Sequence, residues 1–166
     1  MELKLVEKFS LYLISNYKIT SILKIQKILF FLRVYERMKN IDPSPIFDET
    51  NYNFQAWMYG PVNVTSYYFV RLKLYSNEQE SNDDVLIEFK NMEKIKEFKK
   101  YDFIINKLKD IDSQELVFYS HHNLEYKNVR KGLSDFEPCK NELDENNHNF
   151  IEFDEKVKSK ISKFFS

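Results

Sequence analysis

Apolar residues recur at helical spacing along two stretches near the start of the chain. Leu3, Val6, Phe9, Leu13 and Ile14 predict a first helix over residues 3–16, stopped around Asn16, Tyr17 and Lys18. A second helix is predicted over residues 22–38, with Thr20 or Ser21 as its cap. Ile25, Ile28, Leu29, Leu32 and Tyr35 form one stripe along it, while Lys24, Lys27, Arg33, Glu36 and Arg37 fall mostly off that stripe. Phe30, Phe31 and Val34 widen the stripe, so this helix is expected to be buried on more than one side.

Asp42-Pro43-Ser44-Pro45 ends the second helix in a loop. Residues 46–57 alternate patchily and are expected to supply one short strand or an extended aromatic segment. Pro61 suits the start of a third helix, running from about Val64 or Thr65 to Tyr75. Residues 76–84 are polar and turn-rich and read as a loop, and residues 85–89 as a short strand. Helical spacing returns over residues 92–109 and 114–123, with a further turn of helix over 127–132. Pro138 and the Asn-rich residues 141–149 read as another loop. Residues 153–165 predict a closing amphipathic helix with Val157, Ile161 and Phe164 on one face. The pattern shows no internal repeat and no linker. The expectation is therefore mainly α: a single compact helical domain, residues 1–166, with a small antiparallel β element.

Composition agrees with a packed domain. A chain of 166 residues buries roughly 70% of its extended surface on folding. Hydrophobic residues at 43% and aromatics at 16% supply the core material, and charged residues at 31% keep the outside wet. The net charge of −1 provides no global field to recruit nucleic acid or an anionic membrane. The first apolar run contains Glu2, Lys4, Glu7 and Lys8, unlike a signal peptide. No apolar run approaches the roughly 18 residues of a membrane span. A soluble, cytoplasmic protein is expected.

Few residues suggest chemistry. His121 and His122 are adjacent, so on a helix they point about 100° apart rather than along one face, and no His or Cys pair has metal-ligand spacing. Two glycines, Gly60 and Gly132, are too far apart to build a phosphate cradle. Cys139, the only cysteine, excludes an internal disulfide and sits beside Pro138 in a polar loop with no nucleophile motif around it. No catalytic residue, metal or cofactor is expected, and the chain does not read as an enzyme. The basic run Lys90, Lys94, Lys96, Lys99 and Lys100 is interleaved with Glu88, Glu93 and Glu97, as on a solvated helix face. Nucleic-acid binding is accordingly disfavoured.

The most specific local signal is the stretch from Phe54 to Val62. It holds the only tryptophan, Trp57, and a Gly60-Pro61 step. Glycine accepts positive φ and proline fixes its own near −65°, so the step suits a sharp corner. Phe54, Trp57 and Tyr59 are expected to pack around it. Tyr67, Tyr68 and Phe69 follow on the third helix. Three consecutive residues cannot all point inward from a helix, so at least one should face solvent or a partner. Ser120-His121 is a second polar signal. It reads as a helix-end hydrogen bond tying the C-terminal half to the core or, alternatively, as a polar contact in a partner-binding groove.

Taken in order, Leu23-Lys-Ile-Gln-Lys-Ile-Leu-Phe30, then Pro45-Ile-Phe47, then Ala56-Trp-Met-Tyr-Gly-Pro-Val62 resembles the pattern of the Panacea domain, a family of SocA-like and phage-associated GepA-like antitoxins. Leu116 to His121, Asn147 to Ile151 and Val157 to Phe165 echo its C-terminal half, with Glu125-Tyr126 near the place of a usual Pro-Trp pair. The resemblance implies an antitoxin that neutralises a nearby-encoded protein toxin by direct binding. As alternatives it admits an adaptor delivering the toxin to a AAA+ protease, or a phage-associated nucleic-acid binder or enzyme. The partner surface is then expected around Trp57, Tyr59, Gly60, Pro61, Tyr67, Tyr68 and His121.

Overall fold

A computed structural model describes residues 2–49, 54–75 and 95–166. The fold is mainly helical with one small antiparallel sheet. Helix α1, Leu5–Tyr17, ends where Lys18 turns left-handed at φ 56°. Helix α2, Ile22–Met38, begins at Ser21, whose hydroxyl accepts the Lys24 N–H. The caps satisfy backbone groups that the helix ends leave open. Strands β1, Phe54–Trp57, and β2, Gly60–Asn63, pair antiparallel with Ala56 opposite Pro61 and Trp57 opposite Gly60.

Helix α3, Val64–Tyr75, follows directly, with the Asn63 side chain accepting the Ser66 N–H at 3.0 Å. Next come α4, Ile95–Phe98, a 3₁₀ turn over Lys99–Tyr101, and α5, Asp102–Leu108. Helix α6, Ser113–His121, is capped by Asp112, and α7, Leu124–Val129, by Asn123. A 3₁₀ turn at His148–Ile151 leads into α8, Glu155–Phe164.

Helix α2 is the axis of the core. It packs against β2, α3, α5, α6 and the His148–Ile151 turn. Phe30 and Phe31 anchor it, meeting Phe54 and Phe150 on one side and Phe153 and Phe164 on the other. Fully burying each such ring contributes roughly 1.5–3 kcal/mol. The outer edge of β1 is closed by the loop after α7: the Ala56 N–H donates to the Asn141 carbonyl and the Leu143 N–H to that of Phe54.

Four features differ from the periodicity. Lys27, Arg33 and Glu36, off the apolar stripe of α2, are buried. Their partners come from distant segments that cover the helix on every side. Pro61 lies inside β2 rather than at a helix start, because its missing N–H costs nothing in a two-stranded pairing opposite Ala56. The expected β element is thus a hairpin, with Met58 and Tyr59 as its turn. The continuous helix expected over 92–109 is described from Ile95 and is interrupted by the 3₁₀ turn. That turn rotates about 120° per residue instead of about 100°, and it brings the Tyr101 hydroxyl to Glu36 at 2.6 Å. The expected turn over 127–132 starts earlier, at Leu124, because Asn123 caps there. The loop at 76–84 and the strand at 85–89 lie outside the described residues. No helix among the described residues is long and apolar enough to cross a membrane.

Candidate functional site

The hairpin is pinned from beneath by polar groups of α2. Gln26 is 1% exposed. Its carbonyl accepts the Asn63 N–H at 2.9 Å, and its amide reaches the Ser66 hydroxyl at 3.2 Å. Ser66 in turn shares a 2.7 Å hydrogen bond with Ser10 of α1. Lys27 is fully buried and donates to the Pro61 carbonyl at 2.8 Å. Burial alone pushes its amine down to about 7. Gly60, at φ 104°, sits directly above: a Cβ there would lie 2.4 Å from the Ser120 hydroxyl and 3.0 Å from the Lys27 amine. The corner therefore needs glycine for both φ and space. The Ser120 hydroxyl donates to the Val117 carbonyl of its own helix, so it caps no other segment.

On one side of the hairpin lies an apolar groove of about 430 Å³ lined by Ile22, Leu23, Trp57, Met58, Tyr59, Val62 and Tyr67, with Gln26 at its base. Trp57 is half-buried, its indole N–H held by the Gln55 side chain at 2.7 Å. The Trp57 ring meets Tyr67 edge-on at 4.9 Å, and Tyr67 meets Tyr68 at 5.4 Å. Tyr59 stands at the turn, 54% exposed rather than packed into the corner. A turn position has no neighbour on its outer side. Along α3, Tyr68, Leu72 and Tyr75 follow one another at i, i+4 and i+7 and are 52–67% exposed. Of the residues on α3, Ser66 and Val70 are the buried ones.

The opposite side of the hairpin is polar. His121 stacks on Tyr126 at 5.1 Å and 17°, and its Nε2 is buried without a hydrogen-bond partner. Burial, Lys27 and Arg130 hold its pKa below the usual histidine value, opposed by Asp135 and the Met58 carbonyl. The Tyr126 hydroxyl donates to the Trp57 carbonyl at 2.6 Å. Burial pushes that phenol up to about 12, so it stays a donor. Arg130 donates to the carbonyls of Ala56, Ser134 and Glu137 at 2.7–3.1 Å. Tyr126 of α7 and Arg130 just beyond its end, both buried, thus fasten the strand that carries Trp57.

The sequence-derived candidates separate accordingly. Trp57, Tyr59 and Tyr67 share the groove, Tyr68 adjoins it through Tyr67, and Gly60 and Pro61 lie outside its lining, against Ser120 and Lys27. His121 lies on the far face. Gln26, Lys27 and Tyr126 carry only pattern signals in the sequence, and Arg130 carries none. The signal available for Lys27 was its place inside an apolar run, and for Tyr126 its place where the Panacea pattern carries a tryptophan. The remaining histidines go elsewhere, His122 to Asp154 and His148 to Glu152. Among the described residues no three His, Cys, Asp or Glu side chains converge as metal ligands. Cys139 is free and half-buried. Lys96, Lys99 and Lys100 are exposed, as on a solvated face.

Fold and site together define a helical protein whose hairpin separates an aromatic groove from a polar face built on His121, Tyr126 and Arg130. No family model, no curated protein and no solved structure matches the chain.

Proposed function

We propose that this chain is an antitoxin-type protein of the Panacea kind, neutralising a nearby-encoded protein toxin by direct contact. The observation that carries the reading is the exposed aromatic face: the Trp57–Tyr67 groove continues into the Tyr68–Leu72–Tyr75 stripe of α3. Tyrosine and tryptophan are favoured interface anchors, because they bury large area while few bonds lose rotation. The resemblance of Leu23–Phe30 and Ala56–Val62 to the antitoxin pattern supports the same reading. Neutralisation then proceeds by occlusion. The aromatic face covers the toxin's working surface, and no bond is made or broken.

Co-expression with the products of the adjacent genes tests this. A neighbour that is toxic alone, rescued by this chain and recovered with it as a stable complex is the expected result. Rescue accompanied by toxin loss only in protease-competent cells would instead indicate a proteolytic adaptor. Absence of any toxic neighbour and of any bound partner would overturn the reading.

A further inference from the structure

Cationic side chains taken out of water ordinarily have a carboxylate beside them, since a buried charge without a counter-charge costs several kcal/mol. Arg33 follows the rule with Glu36 and Glu145. Arg130 and Lys27 do not. Arg130 is 8% exposed and Lys27 fully buried, and neither forms an ion pair with a described carboxylate. Arg130 spends three of its N–H groups on carbonyls, out of the five a guanidinium carries. Beside Arg130 stands His121, whose buried Nε2 has no partner.

His121, Tyr126 and Arg130 line a pocket of about 270 Å³, completed by Lys127, Lys131, Gly132, Leu133 and Asp135. Among the described residues its charged rim is three cations against one carboxylate, and Lys127 is shared with Asp154 outside. Gly132, at φ 87°, has open space where a Cβ would stand, so the loop turns there without crowding the cavity.

We propose that this pocket is a binding site for a small oxyanion, seated between the Arg130 guanidinium, the Lys131 amine and the His121 imidazole. An in-plane shift of the imidazole that keeps the Tyr126 stack gives up the Met58 carbonyl and turns Nε2 to the cavity. The neutral ring then donates from Nε2 only with its single proton moved there. The bound charge then supplies the counter-ion that Arg130 lacks. The anion has two possible sources with one chemistry: a free carboxylate- or sulfate-like solute, or an acidic side chain presented by a protein partner. The inference stands on the pocket alone and not on the antitoxin reading.

The test is an NMR titration of the full chain with sodium sulfate at constant ionic strength near neutral pH, followed through the backbone amides of residues 121–135. N-acetyl-aspartyl amide is the second probe and mimics a partner's side chain. A saturable shift with Kd below ~10 mM is expected for sulfate. His121→Phe keeps an aromatic ring on Tyr126 and is expected to weaken binding about tenfold or more, as loss of a hydrogen bond to a charged group does. An unchanged melting temperature of that variant separates lost binding from lost fold. Binding of both probes assigns the seat to acidic side chains as well as free solutes, and binding of sulfate alone to free solutes. Linear, non-saturating shifts up to ~50 mM, or equal binding by His121→Phe, would overturn the proposal.

Discussion

The Lys27 amine donates to the Pro61 carbonyl at 2.8 Å across 34 residues of chain, and Gly60 supplies the space above it. A core helix and a surface hairpin are joined at this point, and the corner residue is chosen by what lies underneath.

Gly60→Ala is expected to destabilise the protein by about 2–4 kcal/mol, combining a strained left-handed φ with overpacking. Adding Ser120→Ala removes the atom 2.4 Å from the new Cβ and should recover part of the loss. The φ component and the contact with the Lys27 side chain remain. Chemical denaturation of the single and double variants checks this, and no recovery in the double variant would place the cost on φ and the Lys27 contact.

Lys27 makes stability depend on pH. Its folded pKa is about 7 against an ordinary value of 10.5. Below the lower value both states hold the proton and the burial cost is fully present. Between the two values the unfolded chain holds the proton alone, so stability rises with pH. Lys27→Met removes that dependence but leaves the Pro61 carbonyl without its donor, costing about 1–3 kcal/mol. The variant should therefore compare best with the parent near pH 6 and lose ground steadily toward about pH 9. Melting curves across that range decide it.

Arg33 joins two buried carboxylates, donating to Glu36 at 3.1 Å and to Glu145 by a shorter bond. Arg33→Met is expected to cost about 3–5 kcal/mol near neutral pH by removing the counter-charge of both carboxylates, leaving Glu36 only its Tyr101 and Ser44 hydroxyl bonds. Burial already holds both above the usual carboxylate range, and Arg33 is the main opposing charge. The parent already keeps the Glu145 proton up to about pH 7, and the variant keeps it higher still, so the variant loses stability relative to the parent as pH rises past that value. The penalty should shrink on acidification, and a pH-independent penalty would argue against this pairing.

Tyr68 is 52% exposed, whereas Tyr67 packs against Trp57. Tyr68→Ala should change stability by no more than about 0.5 kcal/mol yet weaken partner binding at least about tenfold if it is an interface anchor. Tyr67→Ala should lose about 1 kcal/mol of stability as well, from its aromatic contacts. Calorimetry with the co-purified partner reads both effects. Unaltered affinity in both variants would remove the aromatic face as the interface.

Local pattern was a good guide wherever neighbours along the chain decide conformation. The ends of α2, the start of α3 at Val64 and the three inward residues of α8, Val157, Ile161 and Phe164, were legible, because helical rotation and capping act within a few residues. Gly60 was legible as a corner for the same reason. The hairpin partner of β1 was not, since Pro61 carries a helix-start signal that pairing with Ala56 overrides.

By itself the sequence determined a mainly helical chain, an apolar central helix and a glycine turn beside aromatic residues. Tertiary structure alone decided the fate of the charges and the grouping of the site. Lys27, Arg33 and Glu36 are buried because Pro61, Glu145 and Tyr101 arrive from 34, 112 and 65 residues away to pair with them. His121 parts from Trp57 because the hairpin stands between the groove and the pocket. Periodicity reports which way a side chain points from its own backbone. It carries no information on which distant segment will meet that side chain and remove it from water.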